Sequence, residues 1–224
     1  MSGEKIFDGI YLVGSAELTD SKDCCVYLIE FKSELVLIDA GAGESISEII
    51  ENIKGLGLDP SRVRKLILTH CHIDHTGGAN QLKSRLGLEV IAHKNCAEIL
   101  LRADPILTAA KWYGLAPEVI VVDKTFDEPE MILEIEREKL ALIYIPGHSP
   151  DSIAVYLDRQ GRRILFGQDV HGPIHPALGS DRKLYQESLH KLISLKPDIL
   201  CEGHFGIFEP NSAIEKYIRT YLRD

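Results

Sequence analysis

Three histidines and one aspartate fall within six positions of one stretch, Thr69-His70-Cys71-His72-Ile73-Asp74-His75-Thr76-Gly77-Gly78. Imidazole and carboxylate are the donors that a borderline divalent ion such as zinc takes, at about 2.0–2.2 Å. On extended or loop backbone, side chains two positions apart share a face, so His70 and His72 can point the same way. Asp74 and His75 follow after a turn and can face a second point a few ångströms away. The cluster comes straight after an apolar run, Leu66-Ile67-Leu68, the context that a site motif needs.

Three later residues have the same form of address. Ile143-Tyr144-Ile145 leads to Gly147-His148, Ile164-Leu165-Phe166 to Gly167-Gln168-Asp169, and Ile199-Leu200-Cys201 to Gly203-His204. Each is an apolar strand ending in a loop with glycine beside a donor. Strand ends that each present His or Asp assemble one site at one rim of a sheet sandwich. The donors are then His70, His72, Asp74, His75, His148, Asp169 and His204. One four-coordinate ion with an open position uses fewer. Two ions use them all, each with three terminal ligands, if one carboxylate bridges. Two metals about 3.5–4 Å apart can hold a hydroxide between them and polarise an ester, thioester or amide carbonyl.

The series THCHIDHTGG, PGHS, GQD and EGH, in this order from Asp39 to His204, resembles the metallo-β-lactamase superfamily. The resemblance implies an α/β chain folded as a four-layer αββα sandwich with the metals at one edge. It implies that His70, His72 and His148 hold a first ion, that Asp74, His75 and His204 hold a second, and that Asp169 bridges. Asp39, in Leu37-Ile38-Asp39-Ala40-Gly41, matches the family's aspartate behind the ligands, which fixes a ligand histidine's tautomer by accepting its other N–H. Two divalent ions are expected, zinc first, with iron or manganese compatible.

Among the branches, the chain is closest in pattern to glyoxalase-II-like and lactonase-like hydrolases. The expected reaction is attack of the bridging hydroxide on a carbonyl of a small-molecule ester, thioester or lactone, with Asp74 taking up a proton. Persulfide dioxygenases resemble the chain in the same motifs but use one iron, here on His72, His148 and Asp169, with open positions. A metal-holding module without turnover is the third reading. The only basic residues in the region that would hold a glutathione moiety are Arg182, Lys183 and Lys191, and the chain ends soon after His204, so a smaller substrate is expected. Trp112 and Tyr113 are candidates for an apolar substrate wall. His171 and His175, in a Gly-Pro loop after Asp169, are candidate proton donors to a leaving group. Cys71 alternates with two ligands and is read as a packed thiol.

The elements that position these residues follow from hydropathy. Ile6 to Val13, Cys24 to Phe31 and Glu34 to Ile38 read as strands. Ile46, Ile49, Ile50 and Ile53 form a helical stripe that Gly55 and Gly57 stop. Leu66–Leu68 and Leu88–Ala92 read as strands, with helices over 79–86 and 95–102. The stretch 104–117 is irregular. Val119–Val122, Met131–Ile135 and Leu140–Ile145 read as strands, and Ile153–Leu157 with Arg163–Phe166 as a hairpin. A helix around Tyr185–Ile193, a strand over Asp198–Cys201 and an amphipathic helix over Ile214–Leu222 complete the chain. Strand runs with helices outside them predict two sheets face to face. We expect one domain over 1–224, made of two similar halves that meet around 104–130.

Composition narrows the partners. The chain has 224 residues, ample for a core, and a net charge of −9 from 25 Lys+Arg against 34 Asp+Glu. That acidity argues against nucleic acid and anionic membrane as partners and for a small molecule. No apolar run approaches the roughly 18 residues of a membrane span. Five cysteines, Cys24, Cys25, Cys71, Cys96 and Cys201, form no CxxC pair and no disulfide framework. With no export segment legible ahead of the first strand, a reducing cytoplasm is expected. Oligomeric state is open.

Overall fold

A computed structural model describes residues 3–222. The first half of the chain forms a seven-stranded sheet in sequential order: β1 (Glu4–Phe7), β2 (Ile10–Gly14), β3 (Val26–Glu30), β4 (Leu35–Ile38), β5 (Val63–Ile67), β6 (Glu89–His93) and β7 (Lys124–Phe126). β1 to β4 are antiparallel, and β4 to β7 run parallel through helical crossovers. The second half forms a six-stranded sheet from β8 (Glu130–Ile135), β9 (Glu138–Tyr144), β10 (Ile153–Arg159), β11 (Arg162–Gln168), β12 (Ile199–Glu202) and β13 (Ile207–Phe208), in the order β13-β12-β11-β10-β9-β8. Only β11 and β12 pair parallel there. The helices are α1 (Ile46–Gly55), α2 (Ile73–Thr76), α3 (Ala79–Leu86), α4 (Lys94–Arg102), α5 (Ala110–Tyr113), α6 (Arg182–Ser194) and α7 (Asn211–Arg219).

The period-two alternation of the strands sorts their side chains into layers. Tyr27 and Ile29 of β3 face inward, where they join Val36, Ile38, Ile67, Leu142, Val155 and Phe166 in the core between the sheets. Val26 and Leu28 face outward and pack with Ile46, Ile49 and Ile53 of α1, Leu82 of α3 and Leu100 of α4. Leu165 and Leu200 face the other way out, under Tyr185, Leu189 and Leu192 of α6 and Ile214 and Ile218 of α7. The result is the αββα sandwich. Cys24 and Cys25 follow the same alternation, one in the outer core and one between the sheets. All five cysteines are free and buried. No helix among the described residues is long and apolar enough to cross a membrane.

Three elements differ from the expectation. Ile6–Val13 is a hairpin: Phe7 pairs with Ile10, and Asp8-Gly9 is its two-residue loop. Asp-Gly between apolar runs is itself a strong hairpin signal. Val119–Val122 is extended but pairs with no strand. Its carbonyls are taken by side chains of α3, Asn80 on Val119 (3.0 Å) and Lys83 on Val121 (3.2 Å), and the pairing strand is the polar Lys124–Phe126. The short β13 carries only two residues, too few for a pattern.

Candidate metal centre

Every predicted donor leaves the C-terminal end of a strand. β4 and β5 are parallel neighbours with Ile38 opposite Ile67, so Asp39 and the Thr69–His75 turn emerge side by side. β11 and β12 are parallel neighbours with Gln168 opposite Glu202, so Asp169 and His204 emerge side by side as well. β9 lies two antiparallel pairings from β11 and therefore ends at the same rim, where it delivers His148. The Ile153 N–H donates to the Thr69 carbonyl (2.8 Å) and the Cys25 N–H to the Gly203 carbonyl (2.7 Å), so the two sheets are joined at this edge.

The backbone is bent to fit. Gln168, just before Asp169, has φ +51°, and Asp39 has φ +64°, both in the left-handed region that a non-glycine residue enters at a cost. A Cβ on Gly203 would stand 2.3 Å from Asp169 Oδ1, so glycine there is what lets the carboxylate lie flat against the β12 loop.

The donor atoms fall into two groups. His70 Nε2 lies 3.0 Å from His72 Nδ1, and His148 Nε2 lies 3.1 Å from the same atom. Asp169 Oδ2 stands 3.4 Å from His148 Nε2 and 3.9 Å from His70 Nε2. On the other side, His204 Nε2 is 3.3 Å from His75 Nε2 and 3.2 Å from Asp74 Oδ2. Asp169 Oδ1 is 3.1 Å from His75 Nε2 and 3.4 Å from His204 Nε2. One carboxylate thus offers one oxygen to each group. Donors about 2.1 Å from a shared ion in a tetrahedron stand about 3.4 Å from one another, which is the spacing seen in both groups.

The electrostatics differ between the groups. Burial, then the neighbouring histidines, hold His70 well below its ordinary pKa, and burial with His148 brings His72 down to about 3. Burial also lowers His148. These three rings are neutral at physiological pH, with lone pairs free to ligate. In the second group burial works against charge on His204, but Asp169 and Asp74 overcome it and lift the ring to about 10. His75 is raised as well: burial opposes its charge, and Cys24, Asp169, Asp74 and Asp39 prevail. A cation is therefore favoured between Asp74 and Asp169, and a divalent ion satisfies that demand while displacing the ring protons. Asp169 Oδ1, one of these donor atoms, is buried without a hydrogen-bond partner, as a centre that awaits a ligand requires. The residues fit two ions.

Behind the donors, Asp39 accepts from the Thr69 N–H (2.8 Å), the Thr69 hydroxyl (2.8 Å) and His75 Nδ1 (2.7 Å). Thr69 Oγ1 also lies 3.1 Å from His70 Nδ1. Glu202 is a supporting carboxylate that the motif reading passed over. Fully buried, it accepts from the N–H groups of His204 (2.7 Å) and Phe205 (2.9 Å) and from His171 Nδ1 (2.9 Å). An acidic residue directly after the apolar run Ile199-Leu200-Cys201 is the signal that was available.

A cavity of about 240 Å³ opens over the donors, lined by His72, Asp74, Asp169 and His204 together with Trp112, Tyr113, His171 and Phe205. α5 brings Trp112 and Tyr113 here rather than into the core. Burial, then the facing Asp74 carboxylate, push the Tyr113 phenol above its ordinary value, so it remains a neutral donor. His171 is held by Glu202 at the cavity wall. His175 is exposed, accepts from the Ala177 N–H, and lies edge-on to Trp112 (5.2 Å), away from the donors. Cys71 points away from the centre, with its thiol on the Leu107 carbonyl (3.3 Å).

Known proteins resemble this chain to different depths. A family model described as the metallo-beta-lactamase superfamily matches residues 22–204. The chain is 28% identical over 190 residues to hydroxyacylglutathione hydrolase GloC of Haemophilus influenzae, spanning 82% of this chain and 85% of that one. It is 28% identical over 221 residues to the probable metallo-hydrolase YflN of Bacillus subtilis, spanning 80% and 79%. A solved metallo-beta-lactamase of Cronobacter sakazakii superimposes with a TM-score of 0.81 at 21% identity, covering 99% of this chain and 94% of that one, a likeness of fold.

Proposed function

Because this chain belongs to the metallo-beta-lactamase superfamily, we propose that it is a metal-dependent hydrolase that opens an ester, thioester or lactone bond in a small molecule at a dinuclear centre. The observation that carries the reading is the division of seven donors into two groups that share Asp169, at the floor of an open cavity. His70, His72 and His148 would hold one divalent ion, Asp74, His75 and His204 the other, and Asp169 both. Zinc suits nitrogen and carboxylate donors at this spacing. Two such ions supply hydroxide at neutral pH and polarise the carbonyl under attack.

The chain's own groups do the rest. Asp39 accepts a hydrogen bond from the His75 Nδ1–H and so leaves Nε2 free to ligate. Asp74 keeps Oδ1 uncommitted, able to accept a proton released in the cavity. Glu202 fixes His171 through Nδ1, so its other ring nitrogen is the one available to the cavity as a proton donor. Trp112 and Tyr113 wall the cavity and shield the reacting bond from bulk water. The 28% identity to a hydroxyacylglutathione hydrolase supports a thioester among the substrates.

Metal analysis of protein expressed without supplementation, with a panel of thioesters, esters, lactones and phosphodiesters, tests this. Two equivalents of zinc with turnover of a carbonyl substrate are expected. His72→Ala should lower kcat/KM at least 1000-fold, about 4 kcal/mol, with the circular dichroism spectrum unchanged. One equivalent of iron with oxygen uptake on a persulfide overturns the reading, as does full activity in His72→Ala.

A further inference from the structure

Phe205 stands between two cavities. One is the space over the donors; the other, about 550 Å³, lies beyond Phe205 and is more than twice as large. His204 and Phe205 line both, so the two cavities adjoin across these residues. The larger cavity is mixed in character, with Leu12, Leu18, Cys25 and Ile207 in its wall beside Ser15 and two glutamates. Burial holds the Cys25 thiol neutral. Its charged wall residues are Glu4 and Glu17, and neither makes an ion pair among the described residues. No lysine or arginine lines either cavity among the described residues. The nearby cations are engaged or turned elsewhere: Lys22 pairs with Glu44 (2.7 Å), and Arg182 lines a separate depression on the far side of His171.

A pair of cavities so lined is selective. Over the donors, two divalent ions would outweigh Asp74 and Asp169 and accept a polar carbonyl. In the larger cavity a carboxylate would meet two carboxylates and no cation, while an apolar body would gain burial. We propose that the substrate spans both cavities and that its portion beyond Phe205 carries no negative charge. This rests on the hydrolase reading for the bond that is broken, and it names the class of molecule: a neutral or cationic carbonyl compound, not a polycarboxylate thioester of the glutathione type. Glu17 and Phe205 are then the specificity-determining residues.

The chain has a single tryptophan, Trp112, in the wall of the first cavity, so its fluorescence reports occupancy without turnover. The probes are benzyl thioethers that cannot be hydrolysed and that end, on the same four-carbon chain, in a methyl, a trimethylammonium or a carboxylate group. The zinc-loaded protein should bind the first two at least tenfold more tightly than the third. Glu17→Lys, an exposed substitution, should narrow that ratio at least threefold by improving the carboxylate probe. Phe205→Ala should weaken the methyl-ended probe at least threefold. Equal or tighter binding of the carboxylate probe overturns the proposal. So does a ratio unmoved by Glu17→Lys, or the absence of any Trp112 response. Binding in the expected order without turnover of any corresponding ester, thioester or lactone would refute the hydrolase reading instead.

Discussion

Replacing Asp39 with Asn changes one atom in the network behind the second donor group. The carboxylate is 2% exposed and accepts from the Thr69 N–H and hydroxyl (2.8 Å each) and from His75 Nδ1 (2.7 Å). Asn keeps the volume and tolerates the φ of +64° better than other side chains. Its carbonyl can stay on the Thr69 N–H. Its amide nitrogen must then face His75 Nδ1, where it can only donate. The ring answers by carrying its proton on Nε2, the atom 3.1 Å from Asp169 Oδ1 and 3.5 Å from Asp74 Oδ2. A protonated Nε2 cannot ligate. Loss of a partner behind a ligand costs about 10–100-fold in metal affinity, or about 1.4–2.7 kcal/mol.

The loss should fall mainly on one ion. His72 and His148 make no hydrogen bond to Asp39, and His70 is linked to it only through the Thr69 hydroxyl, so the first equivalent should lose less affinity than the second. Competition against a chromophoric chelator resolves the two equivalents. Stability should fall by about 2–3 kcal/mol, because three charge-assisted bonds become neutral ones at about 1 kcal/mol each. Asp39→Ala should be worse by a further ~1–3 kcal/mol, since it strands the buried Thr69 N–H. If Asp39→Asn holds both ions as tightly as wild type, Asp39 does not set the tautomer of His75 and the second group is misread.

Two other substitutions probe the scaffold. Gly147 has φ +136°, and a Cβ there would fall 2.1 Å from the Tyr185 backbone nitrogen, so Gly147→Ala must push α6 off the His148 loop. A loss of more than about 3 kcal/mol by urea denaturation is expected, with metal binding impaired in whatever remains folded. Asp151 is fully buried, neither of its oxygens has a hydrogen-bond partner, and burial raises its pKa against the opposing effect of Ser149, Cys96 and Cys71. In the unfolded chain the same carboxyl ionises at its ordinary value, so folding is increasingly penalised as pH climbs from there towards the raised folded value. Asp151→Asn should therefore raise Tm at pH 7–8, with the gain fading as pH falls below about 4. A gain that is constant across pH would refute the ionisation argument.

The αββα layering was legible because both periods are strong here. Tyr27 and Ile29 against Val26 and Leu28 mark the two faces of one strand, and Ile46, Ile49 and Ile53 mark one helix stripe. What escaped was local. Val119–Val122 has the composition of a strand, but Asn80 and Lys83 take its carbonyls, and only tertiary structure places those side chains. At the site, the donors were legible because histidine after an apolar strand is rare. Glu202 was less so, because its place after Ile199-Leu200-Cys201 marks a strand end but does not reveal that it will be buried under three N–H groups and an imidazole. Trp112 and Tyr113 reach the cavity through α5, a four-residue helix in a stretch without periodicity.

Asp169 explains why the site needs this fold rather than the motif alone. Its two oxygens must face different histidine groups, so its backbone has to stand between two sheets. β11 ends there with Gln168 forced to φ +51°, β12 beside it gives way through Gly203, and the Gly203 N–H is tied to the Gln168 carbonyl (3.1 Å). Strain at one residue and a missing side chain at another thus serve a single carboxylate. Neither would persist on a free loop, where Gln168 would relax to φ < 0 and carry Asp169 out of reach of His75. The parallel pairing of β11 with β12, the one parallel pair in its sheet, sets both strand ends at the rim where that carboxylate is required.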